Sequence, residues 1–234
     1  MPNAIITGAT QGIGKAITEK LLAEGFNVAV CARTQTDLDK LKKLWAKKYP
    51  KAKVFIYKTD LTKKEEVIAF GKNVLSHFKK IDVLVNNAGT YLPGNLADEP
   101  DGYLEELMAL NMYSAYHLTR TVLPLMKKQK SGHIFNLCSI ASLRAYPNGG
   151  AYGVSKYAIL GFSENLRVEL IPHGIKVTSI CPGAVFTRSW DGTKLPPSRF
   201  LKADDIANTV WTAFSLSEGA NTDMIVIRPQ KGDI

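Results

Sequence analysis

The sequence lacks the features of several protein classes. It has no apolar run approaching the roughly 18 residues of a membrane-spanning helix, and its first residues have neither the basic stretch nor the long apolar stretch of a secretion signal. Its 11 prolines and 18 glycines are too few for a disordered or collagen-like chain of 234 residues. These absences predict a globular, cytoplasmic protein without a membrane partner.

Cysteine and histidine are also scarce. The three cysteines, Cys31, Cys138 and Cys181, are an odd number, lie far apart and form no CxxC pair, and the four histidines show no metal-ligand spacing. We therefore expect neither a disulfide framework nor a metal site. Because each cysteine ends an apolar run, we interpret all three as small buried apolar side chains; a redox role is the alternative.

Negative charge is scarce in the first third of the chain. Residues 1–80 contain 16 lysines and arginines against 7 acidic residues, and therefore carry the whole formal net charge of +9. Much of this excess lies at 38–53, where leucines and Trp45 follow helical spacing and lysines occupy the other faces. We interpret this stretch as a solvated amphipathic helix; the alternative is a surface that attracts a phosphorylated cofactor. No nucleic-acid-binding motif accompanies the charge, so we expect no nucleic-acid partner.

What the sequence does contain is a regular alternation of short apolar runs and helical stretches. Seven runs are predicted strands, at 3–7, 27–32, 52–58, 81–86, 132–138, 175–181 and 222–228. The stretches between them are predicted helices, at 12–24, 36–48, 63–79, 101–129, 150–171 and 203–217. Repeated βαβ units build a parallel sheet with helices on both faces, and nearly continuous apolar strands suit its interior. We expect one α/β domain at 1–234, with its ligand beyond the carboxyl ends of the strands.

The first predicted strand ends in the glycine-rich turn TGATQGIG, in which Gly8, Gly12 and Gly14 open a helix. Glycines allow positive φ and let backbone amides approach a pyrophosphate at the helix N-terminus. An ordinary tight turn is the alternative. The second strand ends at Arg33, without the acid that would bind the ribose 2′-hydroxyl of NAD. Because an arginine suits a 2′-phosphate, the sequence predicts NADP(H) in preference to NAD(H).

A serine, a tyrosine and a lysine follow the fifth predicted strand. Ser139 stands at its end, Tyr152 comes 13 residues later, and Lys156 is four residues beyond the tyrosine. The i,i+4 spacing places the hydroxyl and the ammonium on one face of a helix, where the cation stabilises a phenolate. A single pair at this spacing is common by chance. Its position behind a serine, in a chain that opens with a phosphate-type turn, indicates acid–base chemistry.

Several motifs occur in the order found in one large enzyme family: TGATQGIG, Asp60 with Leu61, NNAG at 86–89, Asn111, Ser139, YGVSK at 152–156 and PGAVFT at 182–187. Over essentially its whole length the chain resembles the short-chain dehydrogenase/reductase family. The resemblance implies a Rossmann fold, a doubly wound parallel sheet of seven strands in the order 3-2-1-4-5-6-7. It also implies a nicotinamide cofactor.

The resemblance assigns a catalytic tetrad to Asn111, Ser139, Tyr152 and Lys156. Ser139 would orient the substrate carbonyl, Tyr152 would donate the proton to its oxygen, and Lys156 would hold the nicotinamide ribose. Asn111 would keep a water on the proton path. Besides Tyr152 and Lys156, the cofactor-binding residues that the family implies are Gly8, Thr10, Gln11, Gly12, Ile13, Gly14, Arg33, Asp60, Leu61, Asn86, Ala88, Gly89, Pro182, Gly183, Val185 and Thr187. Asp60 alone is equally well explained as a helix cap.

The stretch between PGAVFT and the last helix is short, so we expect a substrate loop with little helix at about 187–202. Arg188 and Trp190 in this loop, together with Ser139, Tyr146 and Tyr152, are the predicted substrate contacts. The chain end lacks the VDGG signature usual in the family, and PGAVFTRSW with RPQKGDI is similar to bacterial sepiapterin reductases. That likeness points to a pterin side-chain ketone as one substrate.

The sequence therefore predicts an NADP-dependent carbonyl reductase or alcohol dehydrogenase that acts on a small organic substrate. A 3-oxoacyl-[acyl-carrier-protein] reductase is the alternative within the family, and a non-catalytic NADP(H)-binding redox sensor is the alternative of another class. The predicted helices at 110–126 and 152–171 are apolar around more of their circumference than one sheet covers. We therefore expect a homodimer or homotetramer, paired through these helices.

Overall fold

One parallel β-sheet forms the centre of the molecule, in a computed structural model that describes all of residues 1–234. The strands lie in the order β3-β2-β1-β4-β5-β6-β7, and every neighbouring pair is parallel. The predicted fold, a doubly wound Rossmann sheet in this order, is confirmed. Because β1 pairs with both β2 and β4, the winding reverses at β1 and leaves a crevice at its carboxyl end. The strands are β1 (Asn3–Thr7), β2 (Asn27–Ala32), β3 (Val54–Lys58), β4 (Val83–Asn86), β5 (Gly132–Leu137), β6 (Ile175–Pro182) and β7 (Met224–Ile227).

Helices cover both faces of the sheet. They are α1 (Gly12–Ala23), α2 (Gln35–Lys48), α3 (Lys64–His77), α4 (Tyr103–Met108), α5 (Ser114–Gln129), α6 (Gly150–Leu170) and α7 (Ala203–Phe214). On one face, α1, α2 and α7 bury a core that includes Trp45 and Val210. On the other, α3, α5 and α6 bury a second core that includes Phe70 and Leu118. None of these helices is both long enough and apolar enough to span a membrane.

The long helix predicted at 101–129 is interrupted in the structure. A turn of π-helix at Ala109–Tyr113 separates α4 from α5. Such a turn inserts an extra residue into the helical ladder and redirects side chains, which hydrophobic periodicity does not reveal. Asn111 lies in this turn and is fully buried. Strands β3, β4 and β7 each begin two residues later than predicted.

All three cysteines are buried and free of disulfides. Burial raises the pKa of Cys31 to about 12, so this thiol stays protonated at neutral pH. Cys138 and Cys181 follow the paired residues Leu137 and Ile180 of β5 and β6, and both pack in a small apolar cluster under α5 and α6. Their surroundings fit the interpretation of small apolar side chains.

His133 in β5 is the most deeply buried histidine, with 2% of its surface exposed. Its Nε2 lies 2.7 Å from Thr178 Oγ1, which itself donates to the Thr222 carbonyl at 2.6 Å. The Thr178 hydroxyl proton is therefore already used in the bond to Thr222, so His133 Nε2 must carry a proton and donate it to Thr178 Oγ1. Nδ1 has no hydrogen-bond partner, and the ring stacks on Phe135 at a centroid distance of 3.9 Å. Burial, with a smaller effect of Lys176, lowers the pKa of His133 to about 3.

This buried imidazole makes stability dependent on pH. In the unfolded chain a histidine has a pKa of about 6.5 and is protonated below that pH. In the folded protein His133 stays neutral down to about pH 3. The free energy of unfolding therefore falls as the pH decreases through this window, by up to about 1.4 kcal/mol per pH unit from this residue. We expect His133→Gln to flatten that dependence.

Urea unfolding of the wild type and of His133→Gln at several pH values between 4.5 and 7.5 measures the effect. The exposed His77 provides a matched control, and His77→Gln should keep the wild-type slope. A His133→Gln protein whose stability falls with acid as steeply as the wild type would show that His133 does not cause the dependence.

Candidate active site

Two adjoining cavities of about 310 Å³ each open at the carboxyl ends of the strands. The first, over β1, β2 and β3, is lined by Gly8, residues 10–14, 31–33, 59–62, 87–89, Leu110 and residues 187–189. The second, over β5 and β6, is lined by residues that include Tyr91, residues 137–141, Arg144, Tyr146, Tyr152, Lys156, residues 182–185, Trp190 and Asp233. Ile13, Asn87, Gly89, Thr187 and Ser189 line both, so the cavities form one cleft.

The turn after β1 exposes bare backbone to the first cavity. Gly8 and Gly12 have φ values of +66° and +52°, in the left-handed region that favours glycine. At Gly14 a Cβ atom would overlap the Gly8 carbonyl oxygen and the Asn87 side chain. Gln11, at the N-cap of α1, makes no side-chain capping bond, and the first turn has no acidic residue. The free N–H groups and the positive helix end favour an anion at this place.

Asn87 joins this turn to the end of β4. Its Nδ2 donates to the Thr7 carbonyl at 2.8 Å and to the Gly8 carbonyl at 3.2 Å. The backbone amides of Asn87 and Ala88 in turn both donate to Thr7 Oγ1 at 3.0 Å. The glycine-rich turn and the NNAG turn are therefore one hydrogen-bonded unit.

Asn86, expected among the cofactor residues, lines neither cavity. It is 3% exposed, and its Nδ2 donates to Thr119 Oγ1 at 3.0 Å and to Asn136 Oδ1 at 2.8 Å. The side chain thus belongs to a polar contact inside the core, and the expectation is corrected: Asn87 lines the cleft instead. The sequence signal for Asn87 was its place in the same NNAG motif.

Two charged residues lie at the β2 and β3 end of the first cavity. Arg33 is exposed and makes no hydrogen bond or ion pair. Asp60 accepts from Thr62, at 3.1 Å from its amide and 2.8 Å from its hydroxyl. These bonds, helped by Lys63 and Arg33, hold the pKa of Asp60 below its usual range. Asp60 is therefore ionised but already hydrogen-bonded, and Arg33 is the free charge at this end.

Ser139 is held in one orientation at the end of β5. Its Oγ accepts from the Ala141 amide at 3.1 Å, and its own amide donates to Ser142 Oγ at 3.1 Å. Because the Oγ lone pair is engaged by the turn, the hydroxyl hydrogen remains to be donated into the second cavity. The residue is 8% exposed, so little water competes for that hydrogen.

Lys156 brings a buried ammonium to the tyrosine one helical turn away. The residue is 6% exposed, its Nζ donates to the Leu137 carbonyl at 3.0 Å, and no carboxylate pairs with it. The Nζ lies 5.8 Å from the centre of the Tyr152 ring. An unpaired buried cation is costly, and its position beside a phenol makes it a stabiliser of negative charge on that oxygen.

Asn111 is hydrogen-bonded to Thr90 and to Ser155, the residue before Lys156. Asn111 Oδ1 accepts from the Thr90 amide at 2.8 Å, and its Nδ2 donates to the Thr90 carbonyl at 3.1 Å and to Ser155 Oγ at 3.0 Å. A Cβ placed on Gly89 would lie 3.1 Å from Asn111 Oδ1 and 3.6 Å from Lys156 Nζ. Ser139, Tyr152 and Lys156 therefore meet at the second cavity, whereas Asn111 is fully buried behind Gly89 and Thr90 and lines neither cavity.

Aromatic rings form much of the second cavity. The Tyr91 and Tyr152 rings meet edge to face at 4.8 Å, and burial raises the pKa of Tyr146, with smaller contributions from Tyr91 and Tyr152. Trp190 is braced by Phe200 at 4.9 Å. Sequence reasoning missed an ion pair on this wall, between Arg144 and Asp233, because 89 residues separate the partners and nothing local marks either one.

The remaining predicted residues are found in the cleft, with one change of place. Arg188 was expected to contact substrate, but it lines the first cavity and not the second. Residues 187–202, the expected substrate loop, hold two short 3-10 turns, Arg188–Trp190 and Pro197–Arg199. The others divide between the cavities: Gly8, Thr10, Gln11, Gly12, Gly14, Leu61 and Ala88 in the first, Tyr146, Pro182, Gly183, Val185 and Trp190 in the second, and Ile13, Gly89 and Thr187 in both.

Comparison with known proteins agrees with this geometry. Residues 2–195 match the family described as short chain dehydrogenase. An uncharacterized oxidoreductase of Staphylococcus epidermidis is 33% identical over 226 residues, which cover 97% of this chain and 96% of that protein.

Two solved structures are similar over nearly all of both chains. An alcohol dehydrogenase from the archaeon Thermococcus sibiricus, complexed with 5-hydroxy-NADP, is 28% identical with a TM-score of 0.91, covering 98% of this chain and 97% of that one. A betaketoacyl-[ACP] reductase from Bacteroides thetaiotaomicron is 33% identical with a TM-score of 0.85, covering 99% and 98%. The family match over most of the chain and the whole-length relatives are decisive together. This chain belongs to the short-chain dehydrogenase family of oxidoreductases.

Proposed function

We propose that this oxidoreductase transfers a hydride between NADP(H) and a carbonyl or alcohol group of a small organic substrate. The observation that carries the proposal is the placement of Ser139, Tyr152 and Lys156 around the second cavity, which opens directly onto the first. An acid–base group and a carbonyl-orienting hydroxyl thus stand beside a cavity whose other end favours phosphate. A redox sensor without turnover has no use for that placement.

The first cavity fits a nicotinamide dinucleotide by its own features. It combines a turn where glycine is required at Gly14, bare amides at the start of α1, and the free guanidinium of Arg33. The residues that would hold the cofactor are this turn, Arg33, Asp60 and Leu61 near the adenosine, Ala88 and Gly89, and residues 182–187 with Lys156 at the nicotinamide. When bound, the nicotinamide supplies or accepts the hydride.

The tetrad residues would perform the proton chemistry. Ser139 donates its free hydroxyl hydrogen to the substrate carbonyl oxygen and orients it. Tyr152 then gives its proton to the same oxygen as general acid. Lys156 stabilises the phenolate left behind, because its ammonium is buried and has no carboxylate partner. Asn111, held by Thr90 and Ser155, would position a water that returns the proton.

The aromatic walls and the small volume of the second cavity suit a compact carbonyl substrate. The likeness to the Bacteroides reductase keeps a 3-oxoacyl thioester as a second candidate. A screen of NADPH oxidation over pterins, diketones, sugars and acyl thioesters tests both. Turnover of a free small carbonyl supports the leading proposal, turnover restricted to acyl thioesters supports the second, and NADPH binding without any turnover would favour the sensor.

We expect Tyr152→Phe to lower kcat by roughly 10²- to 10⁴-fold, the usual contribution of general acid catalysis. The NADPH Kd should stay within a few fold of the wild-type value, because the Tyr152 hydroxyl supplies a proton to the substrate and is not needed to bind the cofactor. Steady-state kinetics and NADPH titration measure the two effects. Tyr49, which lines neither cavity, gives the control, and Tyr49→Phe should retain wild-type kcat. More than half of wild-type kcat in Tyr152→Phe would contradict the role.

We expect NADPH to be preferred to NADH, and Ala32→Asp with Arg33→Ile to reverse the preference. Arg33 is the free cation at the β2 end of the cavity, and a charge-assisted hydrogen bond to a 2′-phosphate is worth roughly ten- to a hundredfold in affinity. The measurement is kcat/KM for both cofactors at fixed ionic strength. Lys42→Ile removes an exposed charge that lies outside the cavity, so its cofactor ratio should not change. A wild type that favours NADH would refute the assignment.

We also propose that the protein assembles as a homodimer or homotetramer through α5 and α6. An apolar stripe on α6 is exposed at Val154, Tyr157 and Val168, the last with 72% of its surface, and Tyr113 beside α5 is 49% exposed. Exposed apolar side chains in one stripe are typical of an interface.

Light scattering at micromolar concentration should therefore give a mass of at least twice 25.7 kDa. Val168→Glu should shift the protein toward the monomer, whereas Leu44→Glu, an exposed apolar position on α2, should leave the mass unchanged. A wild-type mass near 25.7 kDa would exclude the assembly.

A further inference from the structure

Residues 187–200, here called the lid, are anchored firmly at both ends. Val185 bridges to Leu201, with Phe186 N donating to the Leu201 carbonyl and Leu201 N to the Ala184 carbonyl, each at 2.9 Å. The Phe200 ring contacts Phe186 at 5.4 Å as well as Trp190. The two ends of the lid are therefore hydrogen-bonded to each other, just beyond the end of β6.

The base of the lid also lies directly on the glycine-rich turn. A Cβ on Gly12 would lie 3.1 Å from Thr187 Cγ2, which is tighter than an ordinary contact. The next residue, Arg188, begins the 3-10 turn and faces the first cavity. Arg188 is therefore next in sequence to a residue whose side chain packs against Gly12 at the start of α1.

Arg188 is a cation without a partner. Its side chain makes no hydrogen bond and no ion pair, and the charged residues that line the first cavity are Arg33, Asp60 and Arg188. Asp60 is engaged by Thr62 at the far end. Arg33 lies at that same end, whereas Arg188 lies with Gly12 and Thr187 where the two cavities meet. The cavity therefore has one free guanidinium toward each end and no acid to neutralise Arg188.

We infer that Arg188 binds the diphosphate group of the nicotinamide cofactor, together with the amides at the start of α1. The inference rests on the proposed cofactor. It goes beyond that proposal because it assigns to the cofactor a residue that was expected to contact substrate. A guanidinium offers five donors in a planar fork that matches phosphate oxygens. The two arginines then correspond to the two phosphate groups of NADP(H): Arg33 to the 2′-phosphate, which NAD(H) lacks, and Arg188 to the diphosphate, which both cofactors share.

This contact would make the lid respond to the cofactor. Trp190 stands two residues beyond Arg188 in the same 3-10 turn and lines the second cavity. Holding Arg188 on a diphosphate also holds Trp190 as part of the substrate wall.

Isothermal titration of the full-length protein tests the inference without any turnover. NADPH, NADH and ADP-ribose are titrated into the wild type, Arg188→Gln and Arg33→Gln at fixed ionic strength. We expect Arg188→Gln to weaken all three ligands to a similar extent, by roughly ten- to a hundredfold, since each contains the diphosphate. Arg33→Gln should weaken NADPH alone. Lys194→Gln, an exposed lid lysine that lines neither cavity, should change none of them.

Three results would overturn the assignment. If Arg188→Gln weakens NADPH but not NADH, the residue binds the 2′-phosphate. If all its Kd values match the wild type and only the KM of a carbonyl substrate rises, Arg188 is a substrate residue. If the wild type itself binds neither NADPH nor NADH, the proposed cofactor fails, and this outcome is distinct because it appears before any substitution. Thermal unfolding of each variant without ligand confirms that the fold is intact.

Discussion

Hydrogen bonds from Asn87 to Thr7 and Gly8 join the turns after β1 and β4, and both cavities are arranged around this contact. The contact is so close that Gly14 has no room for a Cβ. Because residues of both turns line both cavities, the hydrogen bonds of the Asn87 side chain to backbone carbonyls fix the two cavities relative to each other. A displacement of about 1 Å at a reacting centre can cost a hundredfold in rate, so this rigidity matters for function.

The buried Lys156 places a second demand on the fold. An ammonium without a carboxylate partner carries a desolvation penalty of several kcal/mol, and only the Leu137 carbonyl offsets it directly. A carboxylate paired with the ammonium would reduce this penalty, but it would also neutralise the positive charge that Lys156 places beside Tyr152. Asn111, in the π-helical turn, packs against Gly89 with a neutral amide, so it adds no charge near the cation.

Patterns within a few residues were enough to predict the strands, the helices and the spacing of Tyr152 and Lys156, because each depends on local periodicity. The strand order came from the family resemblance. The features that were predicted wrongly or missed depend on the three-dimensional structure around them. Whether Asn86 or Asn87 faces the cleft depends on where β4 ends, and the π-helical turn lies where α4 and α6 are in contact. The place of Arg188 and the pair of Arg144 with Asp233 follow from contacts between distant segments, which no local pattern contains.

The basic residues of the first third of the chain differ in how they can act on an anionic ligand. The lysines are nearly all exposed, mostly on α2, α3 and the turns between elements, where salt screens their fields over about 10 Å. They can raise the local concentration of an anionic ligand but cannot distinguish one dinucleotide from another. Discrimination needs a cation inside the cavity at the one place where the ligands differ, and Arg33 is the only basic residue of residues 1–80 that lines it. With Arg188 bound to the phosphates that both cofactors share, general affinity and selectivity would be carried by different elements, the lid and the end of β2. Each could then change without the other.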